Sequence, residues 1–532
     1  MSFKGNHCQQ VSLTDSFSDL TAREQKALEK SWAKVFADEI FPAIDESRFA
    51  VLYSDKASRP NTPVNVTVGA LIIKELFDHS DDEMVENLML DLHFQYALHT
   101  TSFDEQPLSD KSLSRFRKRC YDYERLHNVD LYHDCIKDLS KKIAKLMNIS
   151  GRVRRMDSMM IESNIRKLSR VELLYTCISK LVTYLNEKNP VLVPEEFIHY
   201  CDPNDFNKVI YHQRSTDIET RLQLLLDDAD KLIEICKDGF DHVTEYELFI
   251  RCMSEQTIVE NATRRLLTKE DGIMSATALQ NPSDPEATYR KKANKEYRGY
   301  VANLEESVGE NGSVITDYQY ENNTYSDSQF IKDHLETLEK QEEAINLVAD
   351  GAYSGVENQS LATEKNVNLI TTSLAGRETA DIMAEFIFNE EGTKVLSCPA
   401  GHAPKSCNYM KPSGQCTVSF PREVCASCSY QTECNPKVFK KVSKIITSKA
   451  ASERAKTKRS MHGEEFKNYA RFRNGVETVP SNLRMNYHLE KLPRGKQRGK
   501  FFFGCKVAAL NFKKLFNFDK GLGCYAKNPV II

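Results

Sequence analysis

The sequence predicts a mixed α/β domain combined with helical regions, and three observations lead to this fold class. Between residues 150 and 475, segments typical of strands and helices follow the order strand, strand pair, helix, strand, insertion, helix, which fits a domain with a mixed sheet. Apolar residues at helical spacing dominate much of residues 20–145 and about 168–275. Six of the fifteen cysteines lie between residues 398 and 434, which predicts a separate insertion.

The length of 532 residues leads us to expect several domains. No run of about eighteen apolar residues is present, and the start MSFKGNHCQQ lacks a secretory apolar stretch, so we expect a cytoplasmic protein without a membrane partner. Fifteen cysteines in that setting are expected as free thiols or metal ligands. We predict the following units: a helical domain at 1–145, an α/β core at 150–390 with a helical insertion at about 168–275, a Cys-rich insertion at 391–445, and the last part of the core with a basic C-terminal segment at 446–532.

Charge is distributed unevenly along the chain. From Lys437 to the end there are 23 Lys and Arg against 6 Asp and Glu, a balance of +17. Since the net charge is −4, the remainder carries −21. A basic segment in an acidic chain favours a polyanionic partner such as DNA or RNA, and a solvated lysine-rich surface is the alternative.

The N-terminal region is predicted to consist of helices. Thr21 and Glu24 have the spacing of a capping box, and DHSDDE separates two helical patterns between residues 64 and 100. In SDKSLSRFRKR, Ser109 is a candidate cap for a helix with a basic face. That face is either a DNA-binding surface or the solvated side of an amphipathic helix; its residues are Arg115, Lys118 and Arg119.

The core elements are predicted from alternation and turn signals. GRVRRMDSMMIE reads as a strand that ends or bends around Asp157, and YRGYVANLEESV and GSVITDYQYE as a hairpin joined by GENGS. Residues 281–294 read as a loop. A helix follows with Ser326 or Asp327 as its cap, and then the strand AINLVADGAYSG, near whose end Asp350 lies. Residues 450–475 are predicted to be helical and basic, with Glu477 at or just beyond the helix.

These three acids are candidates for metal-dependent phosphodiester chemistry. Two divalent ions about 3.5–4 Å apart can serve both the attacking and the leaving oxygen of a phosphodiester. Magnesium takes oxygen ligands and usually only one or two carboxylates per ion. We therefore expect Asp157 to bridge two Mg²⁺ ions, with Asp350 and Glu477 each completing one; Mn²⁺ can substitute.

The segments around these acids resemble the three catalytic motifs of bacterial insertion-sequence DDE transposases. The similar segments are RMDSMMIESN, VADGAYSG and RFRNGVETVPSNLRMNYHL, supported by PVNVTVGALIIKELFDHSDDE near the start and GCKVAALNFKKL near the end. The resemblance implies an RNase H-like core, catalysis by Asp157, Asp350 and Glu477, and DNA as substrate, both as terminal repeats and as target. It also implies a homodimer that holds two element ends at the bacterial nucleoid.

Basic residues flank the third acid and continue toward the end of the chain. Arg473 and Arg484 stand four residues before and seven after Glu477, where guanidinium groups can grip phosphates that enter the site. In LPRGKQRGKFFF, Lys496 and Arg498 are candidates for contact with the DNA backbone and unstacked bases. A basic loop leading into a buried element is the alternative for that segment.

The cysteine cluster is a candidate zinc site. Cys425 and Cys428 have the spacing that lets two thiolates reach one ion. Two more ligands are needed, and we favour Cys398 and Cys434 over Cys407 and Cys416. Related insertion-sequence transposases carry a similar Cys-rich insertion, and structural zinc would order a segment with little core of its own.

The function predicted from the sequence is therefore DNA transposition: binding of element ends, hydrolysis, and joining of 3′ ends to a target. A DNA-binding protein that has lost cleavage and an RNase H-like nuclease that cuts without joining are the alternatives. A zinc-dependent regulator would leave the three acids unexplained.

Overall fold

The computed structural model describes residues 1–8, 17, 19–100, 106–109, 111–210, 218–237, 239–261, 263–272, 274–292, 294–373, 379–461, 463–489 and 492–522. The architecture is mixed α/β, as predicted, with a six-stranded central sheet. Cys524 lies outside the described residues.

Helices build the N-terminal region, and local capping chemistry explains where several begin. Both reciprocal hydrogen bonds of a capping box are made between Thr21 and Glu24, which confirms that prediction, and Ser80 with Glu83 forms another. The predicted cap at Ser109 is wrong because the helix begins at Ser112, after Lys111. The helices are α1 (Ala22–Glu29), α2 (Trp32–Val35), α3 (Val64–Leu76), α4 (Asp81–Leu90), α5 (Leu92–Ala97), α6 (Ser112–His127) and α7 (Leu131–Leu146).

The central sheet has the strand order that positions the candidate acids. Its strands are β1 (Val153–Glu162), β4 (Thr288–Lys292), β5 (Lys295–Gly309), β6 (Gly312–Asn322), β7 (Ile345–Ala349) and β8 (Val367–Thr371). Five of them run in the order β6-β5-β1-β7-β8, antiparallel up to β1 and parallel beyond it, which fits the expected RNase H-like core. The predicted hairpin is confirmed as β5–β6, but the loop predicted at 281–294 contains β4, which pairs with the start of β5.

A helical block separates β1 from β4, as predicted. It comprises α8 (Arg170–Lys188), α9 (Asp205–Ile210), α10 (Ile218–Ile235) and α11 (Thr244–Gln256), and it ends in an unpredicted hairpin of β2 (Thr257–Glu260) and β3 (Thr263–Leu266). These helices bury an apolar cluster of their own that includes Leu174, Phe197 and Phe249. The rest of the core proper contributes α12 (Asp327–Thr337) and α13 (Val356–Glu364).

The Cys-rich segment folds around a small sheet, so the expectation of a loop-rich insertion with little core is wrong. Its four-stranded sheet has the order β11-β12-β14-β13, and Phe386, Val418 and Phe420 are buried beneath it. The elements are β9 (Ile387–Phe388), β10 (Val395–Ser397), β11 (Ser406–Met410), β12 (Gln415–Pro421), α14 (Arg422–Ala426), α15 (Gln431–Cys434), β13 (Lys437–Val438) and β14 (Val442–Thr447).

The last part of the chain returns to the central sheet. The predicted basic helices appear as α16 (Lys449–Ser460) and α17 (Glu464–Asn474), followed by α18 (Thr478–Asn486) and α19 (Lys496–Asp519). The middle of α19 is buried around its circumference and shares one apolar cluster with the N-terminal helices and one face of the sheet. Phe36 of the N-terminal region, for example, stacks edge-on against Phe512, with ring centroids 5.1 Å apart. No helix within the described ranges is long and apolar enough to cross a membrane.

A buried ion pair links α12 to β5. His334 Nε2 lies 2.7 Å from Glu305 Oε2, and both side chains are almost fully buried. Burial alone would lower the pKa of His334, but the charges of Glu305 and Asp317 outweigh it and raise that pKa above its usual 6.5. The folded state therefore binds this proton more tightly than the unfolded chain does.

This ion pair predicts a pH-dependent stability. Because the pKa of His334 is raised on folding, its contribution is complete below pH 6.5 and is lost as the pH rises through the folded-state pKa. We expect the melting temperature to fall less between pH 6 and pH 9 in His334→Gln than in the wild type. His127→Gln, at an exposed position of α6, is the control; equal pH profiles for wild type and His334→Gln would contradict the prediction.

Candidate active site

Three predicted acids line one open cavity of about 600 Å³ at the edge of the central sheet: Asp157, Asp350 and Glu477. Asp157 is the fifth residue of the ten-residue β1, so the prediction that the strand ends or bends there is wrong. Strand β1 pairs with β7 only from Val153 to Arg155, in a register that sets Arg155 opposite Val348. Asp157 lies two residues after Arg155, and Asp350 lies two residues after Val348, directly after the end of β7. This carboxyl end of parallel strands is where ligands bind in open α/β sheets.

Hydrogen bonds from the backbone and one side chain orient the first two carboxylates. Asp157 Oδ1 accepts from its neighbour Ser158 N at 2.9 Å. Asp350 Oδ1 accepts from Gly351 N at 2.5 Å and from Ser373 Oγ at 2.8 Å. A Cβ at Gly351 would lie 2.5 Å from the carbonyl oxygen of Ser373, so the close approach that allows this contact requires glycine.

A buried charge network fixes the third acid. Glu477 ends a short 3₁₀ turn directly after α17, as predicted. Arg155 on β1 donates from Nη1 to Phe472 O at 2.9 Å and pairs through Nε with Glu306 at 2.7 Å. Glu306 in turn accepts from Lys514 Nζ at 2.8 Å. The carboxyl end of α17 is thereby attached to the centre of the sheet.

Arg473 lies among the three acids and contacts all of them. Its guanidinium nitrogens are 3.1 Å from Asp157 Oδ2, 3.8 Å from Asp350 Oδ2 and 3.5 Å from Glu477 Oε1. The exposed fraction of the acid side chains is 15% for Asp157, 43% for Asp350 and 66% for Glu477, so Asp157 forms the floor of the groove. Arg473 Nε is buried and has no hydrogen-bond partner among the described residues.

The donor set fits hard divalent cations. Three carboxylates meet around one guanidinium, so their charge is only partly compensated, and oxygen ligands of this kind are those that Mg²⁺ and Mn²⁺ prefer. Burial raises the pKa of Asp157, against the opposing effect of Arg473, and a bound cation would favour its ionised form. Across the described ranges, no three His, Cys, Asp or Glu side chains are already gathered closely enough to hold a metal.

Arg484 also lines this cavity. Several further residues line it although the sequence offered no reason to assign them to a site. Arg484 donates from Nη2 to Met160 O at 3.2 Å, so one of its nitrogens is held by β1. Lys292, Tyr297 and Asp327 also line the cavity. Asp327 was a candidate only for a helix cap, and Ser373 has no motif signal at all.

The other predicted DNA contacts do not line this cavity. On α6, Arg115 and Lys118 are exposed, whereas Arg119 lies over the ring of Tyr53, 4.7 Å from its centroid. On α19, Lys496 pairs with Glu321 at 2.6 Å and Arg498 is exposed. The segment leads into a helix whose middle is buried, as the alternative reading expected, but Lys496 and Arg498 lie in the first turn of that helix and not in a loop.

The four favoured cysteines lie around a different and much smaller cavity, of about 20 Å³. Its lining includes Cys398, Cys425, Cys428 and Cys434, together with His402. Burial and then the neighbouring thiols raise the pKa of Cys434 to about 11, and burial also raises that of Cys425. The remaining two cysteines of the cluster, Cys407 and Cys416, do not line this cavity.

Ser373 offers a test of how the acid groove is held. We expect Ser373→Ala to weaken Mn²⁺ binding about tenfold, because partners that orient a metal-binding carboxylate commonly contribute 10- to 100-fold. Ser354→Ala, which removes a hydroxyl bonded to Gly351 O in the same turn but not to Asp350, is the control. Equal metal affinity in wild type and Ser373→Ala would contradict the assigned role.

Comparison with known proteins finds two domain families in the chain. Residues 24–119, which run from within α1 to within α6, match the family described as Transposase domain (DUF772). Residues 397–516, which include Glu477 and most of the Cys-rich segment, match the family described as Transposase DDE domain. No curated protein matches the chain. A solved piggyBac transposase synaptic complex with hairpin DNA aligns over 93% of this chain and 76% of its own, at 8% identity and a TM-score of 0.28, too low to bear on fold or function.

Proposed function

We propose that this DNA transposase of the DDE type cuts phosphodiester bonds at the ends of a mobile element and joins the 3′ ends to target DNA, using two divalent metal ions. The observation that carries the proposal is the meeting of Asp157, Asp350 and Glu477, from three separate elements, around the guanidinium of Arg473. Membership of a bacterial insertion-sequence group, with action at the nucleoid, stays an expectation from the motifs.

The place of each residue in the groove suggests its role in the reaction. Asp157, at the floor of the groove, would hold the ions together with the more exposed Asp350 and Glu477. Two Mg²⁺ ions, or Mn²⁺ in their place, would supply activation of the nucleophile and stabilisation of the leaving oxygen. Arg473 and Arg484 would bind the phosphates that flank the bond to be cut. Joining uses the same groove with a 3′-hydroxyl in place of water.

DNA outside the groove would be held by the remaining basic residues. Arg115, Lys118 and Arg498 are exposed, and such side chains position a duplex through its phosphates without reading sequence. Arg119 and Lys496 are engaged within the chain, so we assign them a weaker share. Two element ends must be held together during transposition, which favours a homodimer in the synaptic complex.

One experiment separates transposition from its alternatives. Labelled end DNA from the element is incubated with wild type or Asp350→Asn, in Mg²⁺ and in Ca²⁺, with a supercoiled target plasmid. Magnesium-dependent cleavage and joining that vanish in Asp350→Asn support the proposal. Cleavage without joining would identify a nuclease. Specific binding without cleavage in Mg²⁺ or Mn²⁺ would identify a DNA-binding protein that has lost catalysis.

We further propose that Cys398, Cys425, Cys428 and Cys434 bind one structural Zn²⁺. All four thiols line the same small cavity, and four ligands complete a structural zinc site. Because ionised thiolates are the ligands, zinc binding would have to overcome the raised pKa values of Cys425 and Cys434, with proton release. The ion would then draw the thiols together around β12, β14 and the short helices.

The zinc proposal predicts a measurable stoichiometry. Freshly reduced protein should contain about one zinc per chain by mass spectrometry, and Cys425→Ser with Cys428→Ser should remove it. Cys407→Ser, on β11 of the same sheet but outside the cavity, is the control and should keep the metal. Absence of zinc from the reduced wild type would refute the site.

A further inference from the structure

The groove contains a fourth acid that none of the catalytic motifs includes. Asp327 lies in the first turn of α12 and lines the same cavity as the three candidate acids. We infer that Asp327 is a fourth carboxylate of the metal site and helps to bind a divalent cation beside Asp157 and Asp350. This inference rests on the proposed function and adds a residue to its site.

Helix capping does not account for Asp327. The cap of α12 is Ser326, whose Oγ accepts a hydrogen bond from Gln329 N at 3.2 Å. An acid in the first turn of a helix is favoured by the helix dipole, but such an acid needs only to face water. Asp327 Oδ1 is instead buried and has no hydrogen-bond partner among the residues that the structure describes. A buried oxygen without a donor is costly, and a cation in the groove would satisfy it.

The charge of Asp327 acts on the same buried tyrosine, Tyr353, as the charges of Asp157 and Asp350. This tyrosine follows Asp350 by three residues, is buried, and donates from its hydroxyl to Asn303 at 2.7 Å. Burial raises its pKa first, and the negative charges of Asp327, Asp157 and Asp350 raise it further. The three carboxylates therefore act electrostatically on one buried phenol, in agreement with their common place in the lining of one cavity.

The start of α12 is fastened to the turn that bears Asp350. Asn358 donates from Nδ2 to Ser328 O at 3.1 Å, to Ser328 Oγ at 3.0 Å and to Tyr353 O at 3.1 Å. A single amide thus joins the residue after Asp327 to the turn after Asp350. The two carboxylates are held on rigid elements, as a metal site requires.

The balance of charge in the groove agrees with this role. Lys292, Arg473 and Arg484 line it, and against them stand four acids when Asp327 is included. Arg473 is already shared among three of those acids, and Arg484 is partly held by a backbone carbonyl. The groove is therefore acidic before DNA enters, which favours divalent cations and disfavours phosphate without them.

Metal binding without DNA tests the inference. Titration calorimetry with Mn²⁺ is carried out on wild type, Asp327→Asn, Asp350→Asn and Asp333→Asn, with melting temperatures measured in the absence of metal. Asp333 lies on the same helix, accepts hydrogen bonds from Tyr325 and Gln329, and does not line the groove, so it is the matched control. We expect about tenfold weaker Mn²⁺ binding in Asp327→Asn, an equal rise in the Mg²⁺ concentration needed for half-maximal cleavage, and wild-type metal affinity in Asp333→Asn.

The outcomes of this experiment distinguish failure of the Asp327 inference from failure of the proposed function. A metal-free melting temperature of Asp327→Asn at or above wild type supports the inference, because the charge of a carboxylate with one buried, unpartnered oxygen has been removed. Wild-type Mn²⁺ affinity in Asp327→Asn alongside weakened affinity in Asp350→Asn overturns the role of Asp327 and leaves the proposed function intact. Mn²⁺ affinity unaffected by either substitution overturns both. If Asp327→Asn does not fold, Asp327→Glu should retain tight binding, and loss of binding in that folded variant overturns the inference.

Discussion

Replacing Asp157 with Asn is expected to lower cleavage and joining by about a thousandfold or more, because the amide removes the charge that would bridge both metal ions. Asp157 is the least exposed of the three acids and is hydrogen-bonded by its own strand, so no neighbouring carboxylate can take its position. Asn is isosteric, and Asp157→Asn should fold normally. Single-turnover cleavage of end DNA in Mg²⁺ measures the loss.

Binding of DNA separates a catalytic from a folding defect in this variant. We expect Asp157→Asn to bind end DNA within severalfold of the wild type, since phosphate contacts come from basic residues. Asp381→Asn is the matched control, because Asp381 pairs with Lys458 outside the groove and its replacement should leave cleavage unchanged. Cleavage by Asp157→Asn within tenfold of wild type would show that another group performs the chemistry.

Glu306→Gln is expected to destabilise the protein by about 3–5 kcal/mol, the range for removing one partner of a buried ion pair. Glu306 is fully buried between Arg155 and Lys514, and the substitution would remove the buried carboxylate that these two cations share. Burial opposes ionisation of Glu306, yet Lys514 and Arg155 outweigh it and lower its pKa to about 2. Denaturant unfolding at pH 7 measures the difference.

The pH dependence of this difference follows from the direction of the shift. A carboxylate whose pKa is depressed on folding contributes stability that is complete above its ordinary value of 4.5 and is lost as the pH falls toward 2. The difference in free energy of unfolding between wild type and Glu306→Gln should therefore become smaller below pH 4.5. Glu310→Gln, in the exposed turn after β5, is the control and should match wild type at every pH. If the difference in free energy of unfolding between wild type and Glu306→Gln stays constant below pH 4.5, Glu306 is not ionised in the folded protein.

Many elements and candidate residues of this protein could be predicted from short stretches of its sequence, because they depend on local interactions. The capping box of Thr21 and Glu24, the β5–β6 hairpin and the helix before Glu477 depend on neighbours in the chain, so periodicity and turn residues predicted them. The three acids and Arg473 were also identifiable in advance, because each lies in a recognisable motif. Spacing also singled out Cys425 and Cys428, and the preference for Cys398 and Cys434 over Cys407 and Cys416 agrees with the lining of the small cavity.

Tertiary structure decided what depends on groups far apart in the chain. Asp157 was expected at a strand end, but β1 continues past it because β5 still pairs with it on one side after β7 has ended on the other. Ser373 orients Asp350 from 23 positions away, and Asp327 joins the groove only because Asn358 holds the start of α12 against the Asp350 turn. The sequence alone identified the three candidate acids, since each lies in a short local motif. Which polar groups surround them was decided by packing, because a buried carboxylate is satisfied by whatever donor or cation the fold brings within about 3 Å.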